Sequence, residues 1–272
     1  MTNKIDFGAN SHVEKTNNKE DFFLKFKKQI ITGVVVVLLV VAGAILYNVF
    51  VAGPREDKAS TAIAKGEQYF NEEQFDKALN GDGAGYVGFV KIASDYSSTD
   101  AGNLAKLYAG LSFYNLGKYT EAVTYLEKFS TKGDAMVSPT ATAALANAYA
   151  QTGNVDKAIS TLKKAADIYG QIAEKFDYAA VYALFKQANF YHAINPDLKV
   201  GLALPYYKKL IDKIESQSEK SAGDLKKLGT AYQYLAVHYI QNDKVADAKQ
   251  WAAKLLEVRP DDETAKQIMN LK

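Results

Sequence analysis

Six positions recur at one fixed offset, and that offset decides most of what this chain can fold into. Gly110, Phe113, Gly117, Tyr119, Ala122 and Leu126 are followed 36 residues later by Ala146, Tyr149, Gly153, Val155, Ala158 and Leu162 in the same spacing. Self-similarity at a fixed period of this size marks a stacked repeat. The residue types explain the spacing. A small residue (Gly110, Ala146) lets a first helix approach a second, and an aromatic three positions on (Phe113, Tyr149) fills the gap between them. Gly117 and Gly153 supply the turn, while Ala122 and Ala158 let the second helix cross closely. Each copy is therefore expected to be a helix-turn-helix.

The template extends along the chain. It fits residues 62–97 as Gly66, Tyr69, Phe75 and Ala78, then an insertion, then Phe89 and Ala93. It fits residues 232–260 as Leu235, Ala236, Tyr239, Val245, Ala248, Ala252 and Pro260, with Trp251 and Leu255 completing the apolar stripe. A looser copy runs through Leu184, Ala188, Tyr191, Ala203, Tyr207 and Leu210, with extra residues around Asn195-Pro196. These positions resemble the tetratricopeptide repeat over nearly all of residues 58–272. The resemblance implies an all-α tetratricopeptide-repeat solenoid of about five helix pairs, each burying its apolar face only against its neighbours.

Ahead of the repeats, Ile30 to Val51 form 22 consecutive uncharged residues, 15 of them Ile, Leu, Val or Phe. As a helix this run reaches ~33 Å, enough to cross a hydrocarbon core of ~30 Å. Those side chains supply roughly 4–9 kcal/mol of insertion free energy before Thr32 and Asn48 subtract from it. One rival reading is a buried core helix, which rarely carries so long an unbroken apolar run; the other is a cleavable signal peptide, with Lys25, Lys27 and Lys28 as its charged region. The run is too long for that, begins too far into the chain, and is followed by Pro54 where cleavage would fall. A single transmembrane helix is expected.

Orientation follows from charge. Three lysines crowd the N-terminal flank, whereas Arg55 and Lys58 are mixed with Glu56 and Asp57 on the other. The positive-inside rule therefore predicts a cytoplasmic tail at 1–28, an anchor helix at 29–52 and a repeat domain at 53–272 across the membrane. Phe22, Phe23 and Phe26 beside the lysines suit the lipid headgroup region. The tail carries the whole net charge of +2, and residues 52–272 balance 27 basic against 27 acidic groups. Such balance disfavours nucleic acid as a partner, since tracking phosphates needs a clustered cationic excess.

This order of features is similar to that of the YfgM-like ancillary subunits of the Sec translocon: a short charged tail with a Phe-rich segment, one helix with its N-terminus inside, then repeats. The chain departs from a minimal member in its fifth repeat and in the loop from Asn80 to Gly88. The resemblance implies a bacterial inner-membrane protein with a periplasmic C-terminal domain. It further implies Sec translocon subunits and a periplasmic chaperone as partners, with membrane lipid met through the anchor helix.

No catalytic constellation emerges. The chain has no cysteine, which excludes thiolate chemistry and cysteine-ligated metals. Gly83 to Gly88 read as G-x-G-x-x-G, but that fingerprint works only between a strand and a helix, and Glu72 to Leu79 are helical in pattern. The segment Asn80 to Gly85 is instead expected to be a tight loop joining the two helices of the first pair. Asp82 and Asn80 lack the further ligands of a calcium loop. His12, His192 and His238 stand at no metal spacing, and no serine sits in a nucleophile elbow. Neither a cofactor nor a small-molecule substrate is expected.

What remains is the hollow face formed by successive first helices. The repeat template assigns Leu107, Leu111, Tyr114 and Asn115 to it from the second pair, and Ala143, Asn147, Ala150 and Gln151 from the third. The fourth contributes Tyr182, Phe185, Asn189 and His192. Amides among aromatic rings suit an extended peptide, bonding its backbone while the rings pack its side chains. The expected role is a non-enzymatic, membrane-anchored protein-binding scaffold. The alternative is an envelope scaffold for division or outer-membrane maintenance that self-associates through its repeats.

Overall fold

The computed structural model describes residues 17–131 and 137–271, with side chains from residue 25 onward. His12 and the side chains of Phe22 and Phe23 lie outside the described residues. Two compact units divide between Lys58 and Ala59.

In the first unit, α1 (Asn17–Tyr47) runs into a π-helical turn, Asn48–Ala52, closed by the Gly53 amide donating to the Asn48 carbonyl. One helix of the described residues is long and apolar enough to cross a membrane, and none of its most apolar window is buried by protein. Within Ile30–Val51 the exposure of the large apolar side chains runs from 37% at Ile30 to 71% at Phe50. The hydroxyl of Thr32 donates to the Lys28 carbonyl at 2.8 Å, so this polar group is satisfied within the helix itself. The Lys25 ammonium lies 6.0 Å from the Phe26 ring centroid.

The second unit is all-α among the described residues, and its helices follow in pairs. The first pair is α2 (Gly53–Asn71), whose start precedes the unit boundary, with α3 (Phe75–Asn80) and α4 (Phe89–Asp95). The second is α5 (Asp100–Asn115) with α6 (Tyr119–Lys128), and the third is α7 (Ser138–Gln151) with α8 (Val155–Lys175). The fourth is α9 (Ala180–Ile194) with α10 (Leu204–Glu215), the fifth is α11 (Ala222–Gln241) with α12 (Val245–Val258), and α13 (Glu263–Met269) closes the stack. Five pairs stand where the repeat template puts them.

Local chemistry sets the helix ends. Thr99 caps α5 by accepting from the Gly102 amide at 2.9 Å. Ser221 and Asp224 form a reciprocal capping box at α11, and Asp262 caps α13. Pro139 and Pro205 occupy first-turn positions of α7 and α10, where no amide hydrogen is needed.

Four pairs share one turn. The amides of Gln74, Lys118, Asn154 and Lys244 donate to the carbonyls of Tyr69, Phe113, Tyr149 and Tyr239, five residues earlier in each case, at 2.8 to 2.9 Å. The residue before each donor has positive φ: Glu73 (60°), Gly117 (74°), Gly153 (78°) and Asp243 (58°). The small residues Ala78, Ala122, Ala158 and Ala248 then enter the core at the first turn of each second helix.

The insertion in the first pair corrects an expectation. It does not join the two helices of that pair, whose turn is at residues 72–74, but splits the second helix into α3 and α4. The core is likewise divided. Separate clusters centre on Phe89 and Ile92, on Leu107 and Leu126, on Tyr169 and Ile172, and on Tyr207 and Leu235. Partly buried residues such as Leu104, Phe113 and Phe190 touch two clusters each.

Candidate functional site

The first-helix positions fall into two kinds. Leu107, only 6% exposed, belongs to the core with Ala122, Leu126 and Ala148, and is corrected from groove wall to packing residue. Ala143 is buried too, and Leu111 and Phe185 are half-buried against core clusters. The Asn189 side-chain oxygen accepts from the Tyr207 hydroxyl at 2.7 Å, so this amide is already engaged across α9 and α10.

The second kind reaches solvent. Asn147, Ala150 and Gln151 are exposed on α7, and Asn115 is exposed on α5 with its amide donating to the Leu111 carbonyl at 2.9 Å. The Tyr114 ring meets Tyr119 edge-on at 5.3 Å. Tyr182 is 50% exposed, with the Lys186 ammonium 5.5 Å from its ring centroid. His192 is half-buried, edge-on to Tyr234 at 5.3 Å, and its Nδ1 has no hydrogen-bond partner among the described residues. Because α5 and α7 touch, the Tyr114–Asn115 and Asn147–Gln151 positions belong to adjacent helices. Tyr182, Asn189 and His192 are brought together only along α9.

The loop carrying the glycine fingerprint has a structural centre that the sequence pattern missed. Asp82 accepts from the amides of Ala84 at 2.8 Å and Tyr86 at 3.0 Å, and from the Tyr69 hydroxyl at 2.9 Å. It is also ion-paired with Lys65. The Lys65 ammonium foremost, with these donors, holds its carboxyl well below the usual carboxylate range. Tyr86 in turn donates to the Ala78 carbonyl at 2.8 Å. Gly88 has φ +87°, and a Cβ there would stand 2.2 Å from the Leu79 carbonyl oxygen. The glycines thus serve a tight return between two helices, and the element directly before them is the helix α3, not the strand a dinucleotide fingerprint requires. Asp82 is saturated by protein donors. No cluster of three candidate metal ligands occurs among the described residues.

Comparison with known proteins agrees with this geometry. Residues 20–176 match the model of the family described as tetratricopeptide repeat-like domain, from the apolar helix through the third helix pair. No curated protein matches the chain. Among solved structures, the nearly identical TPR-like repeats assigned to a kinesin light chain of Podosopora anserina align with a TM-score of 0.53 at 13% identity, covering 75% of this chain and 96% of that one. The C-terminal part of a TPR repeat-containing protein from Cytophaga hutchinsonii aligns at 18% identity with a TM-score of 0.32, covering 77% and 100%. Helix-pair stacks of this kind are typically non-enzymatic protein-interaction scaffolds. With more than half of its length matched by the family model, the chain belongs to the tetratricopeptide repeat-like domain family.

Proposed function

We propose that this protein is a single-pass membrane-anchored scaffold whose repeat domain binds polypeptide on the far side of a bacterial inner membrane. The observation that carries the reading is the helix through Ile30–Val51, whose apolar side chains are left uncovered by protein. In water such a surface would far exceed the apolar patch a soluble monomer exposes; in lipid it is matched. The lysines before it and the mixed charges after it support a cytoplasmic tail at 1–28 and a periplasmic domain from 53. The family model's span over both the helix and the first three pairs supports reading them as one tethered device.

Tethering raises the effective concentration of the groove beside a membrane partner, so weak contacts at Tyr114, Asn147, Gln151 and Tyr182 suffice. The partners proposed are subunits of the Sec translocon and a periplasmic chaperone. Two measurements test this. Protease added to cells stripped of the outer membrane should degrade the repeat domain, and survival of that domain overturns the orientation. Photo-crosslinking from Asn147 and Tyr182 should capture translocon subunits or envelope chaperones, and recovery of neither removes the translocon role.

A further inference from the structure

A cavity of about 410 Å³ opens between α8, α9 and α10. It uses Ala180, Leu184 and Gln187 of α9, a different face of that helix from Phe185, Asn189 and His192. Gln187 lines it, only 8% exposed as a residue, and its amide makes no hydrogen bond among the described residues but is not sealed from solvent. That is an odd residue for its place. The same template position, one before the small residue of each first helix, holds Ala109, Leu145 and Leu235 in the second, third and fifth pairs, and an exposed Lys65 in the first. A leucine there would simply pack, whereas an amide that reaches the solvent of the cavity offers a ligand both a donor and an acceptor. Gly170 on α8 makes room for this amide: a Cβ there would stand 2.4 Å from the Gln187 amide nitrogen.

The rim carries both signs of charge. Lys209, Glu174 and Asp212 line the cavity, and none of the three takes part in an ion pair or side-chain hydrogen bond among the described residues. Lys213, also on the rim, is paired with Asp177. A simple anion would meet two carboxylates, and a simple cation would meet Lys209. A zwitterion satisfies all three. Gln187 both donates and accepts, which matches one peptide group, and the size of the cavity falls within the range of small-ligand sites.

We infer that this cavity binds a short peptide with both termini free, its carboxylate toward Lys209, its ammonium toward Glu174 and Asp212, and its amide on Gln187. The test is calorimetric titration of the full chain in detergent with alanyl-alanine, beside the doubly blocked N-acetyl-alanyl-alanine amide. Saturable binding of the free dipeptide is expected, weakened roughly tenfold or more by blocking the termini, by Gln187→Leu and by Lys209→Met. Gln187→Leu places the residue of the third and fifth pairs at this position, so its helical circular dichroism should match the parent and a binding loss is not a folding loss. Absence of dipeptide binding up to about 10 mM overturns the inference, as does equal affinity for the blocked compound or parental affinity in both variants.

Discussion

The hydroxyl of Tyr232 on α11 donates to the Glu215 carboxylate on α10 at 2.7 Å, bridging the fourth and fifth helix pairs. The same device recurs one junction earlier, where Tyr191 on α9 donates to Asp167 on α8 at 2.9 Å. It recurs again between Tyr149 on α7 and Glu127 on α6. Each phenol belongs to the first helix of a pair and each carboxylate to the second helix of the pair before.

Removing such a hydroxyl should loosen one junction only. Tyr232→Phe and Tyr191→Phe should each cost about 1 kcal/mol, because the ring still packs and one hydrogen bond is lost. Thermal melts of the single and double variants check this, and the two costs should add, since the junctions share no partner.

The shared turn makes a second, purely conformational prediction. A Cβ at Gly117 or Gly153 would meet nothing within 4 Å, so Ala at either position pays only for its positive φ, about 1 kcal/mol. Glu73 and Asp243 already pay that cost. Asp243→Gly should therefore be neutral or stabilising in the same melts, the reverse of Gly117→Ala.

Space rather than φ decides at Gly110. A Cβ there would fall 2.5 Å from Leu126 Cγ, so Gly110→Ala should cost about 1–3 kcal/mol through overpacking between α5 and α6. The equivalent Ala146 already carries its Cβ. Urea unfolding of the two variants Gly110→Ala and Ala146→Gly should show losses of different origin, steric in the first and helix propensity in the second.

Acid should find the first pair. Asp82 has its folded value depressed by Lys65 and its other donors, so its contribution is present above the unfolded value near 3.8 and is lost as pH falls from there toward the folded value. The melting temperature of the parent should fall through that window more steeply than that of Asp82→Asn. At the alkaline end the sign reverses. Burial foremost, then Glu127, pushes the Tyr149 phenol up to about 12, so its contribution is whole below 10 and disappears as pH rises to 12.

The pairs were legible because their determinants are local: Gly110, Phe113, Gly117 and Ala122 fix a close approach, a filler, a turn and a crossing within thirteen residues. The role of Asp82 was not, because its partners Lys65 and Tyr69 stand 13 to 17 residues earlier on another helix and meet it only once the insertion has folded back. Groove assignment rested on helical phase alone. Phase places Leu107 and Asn147 alike on first helices, but which of them is covered depends on how deeply α6 and α7 settle against α5. Gln187 was invisible for the same reason: it is a largely buried amide that lines a cavity, and burial is a tertiary property.

The division of the interior into small overlapping clusters has a mechanical meaning. A tug on the last helices would be absorbed by Tyr207, Leu235 and their neighbours, while Phe89 and Ile92 feel it only through intermediaries. Such a chain yields in instalments, giving up a helix or two at a time under load while the remainder keeps its grip.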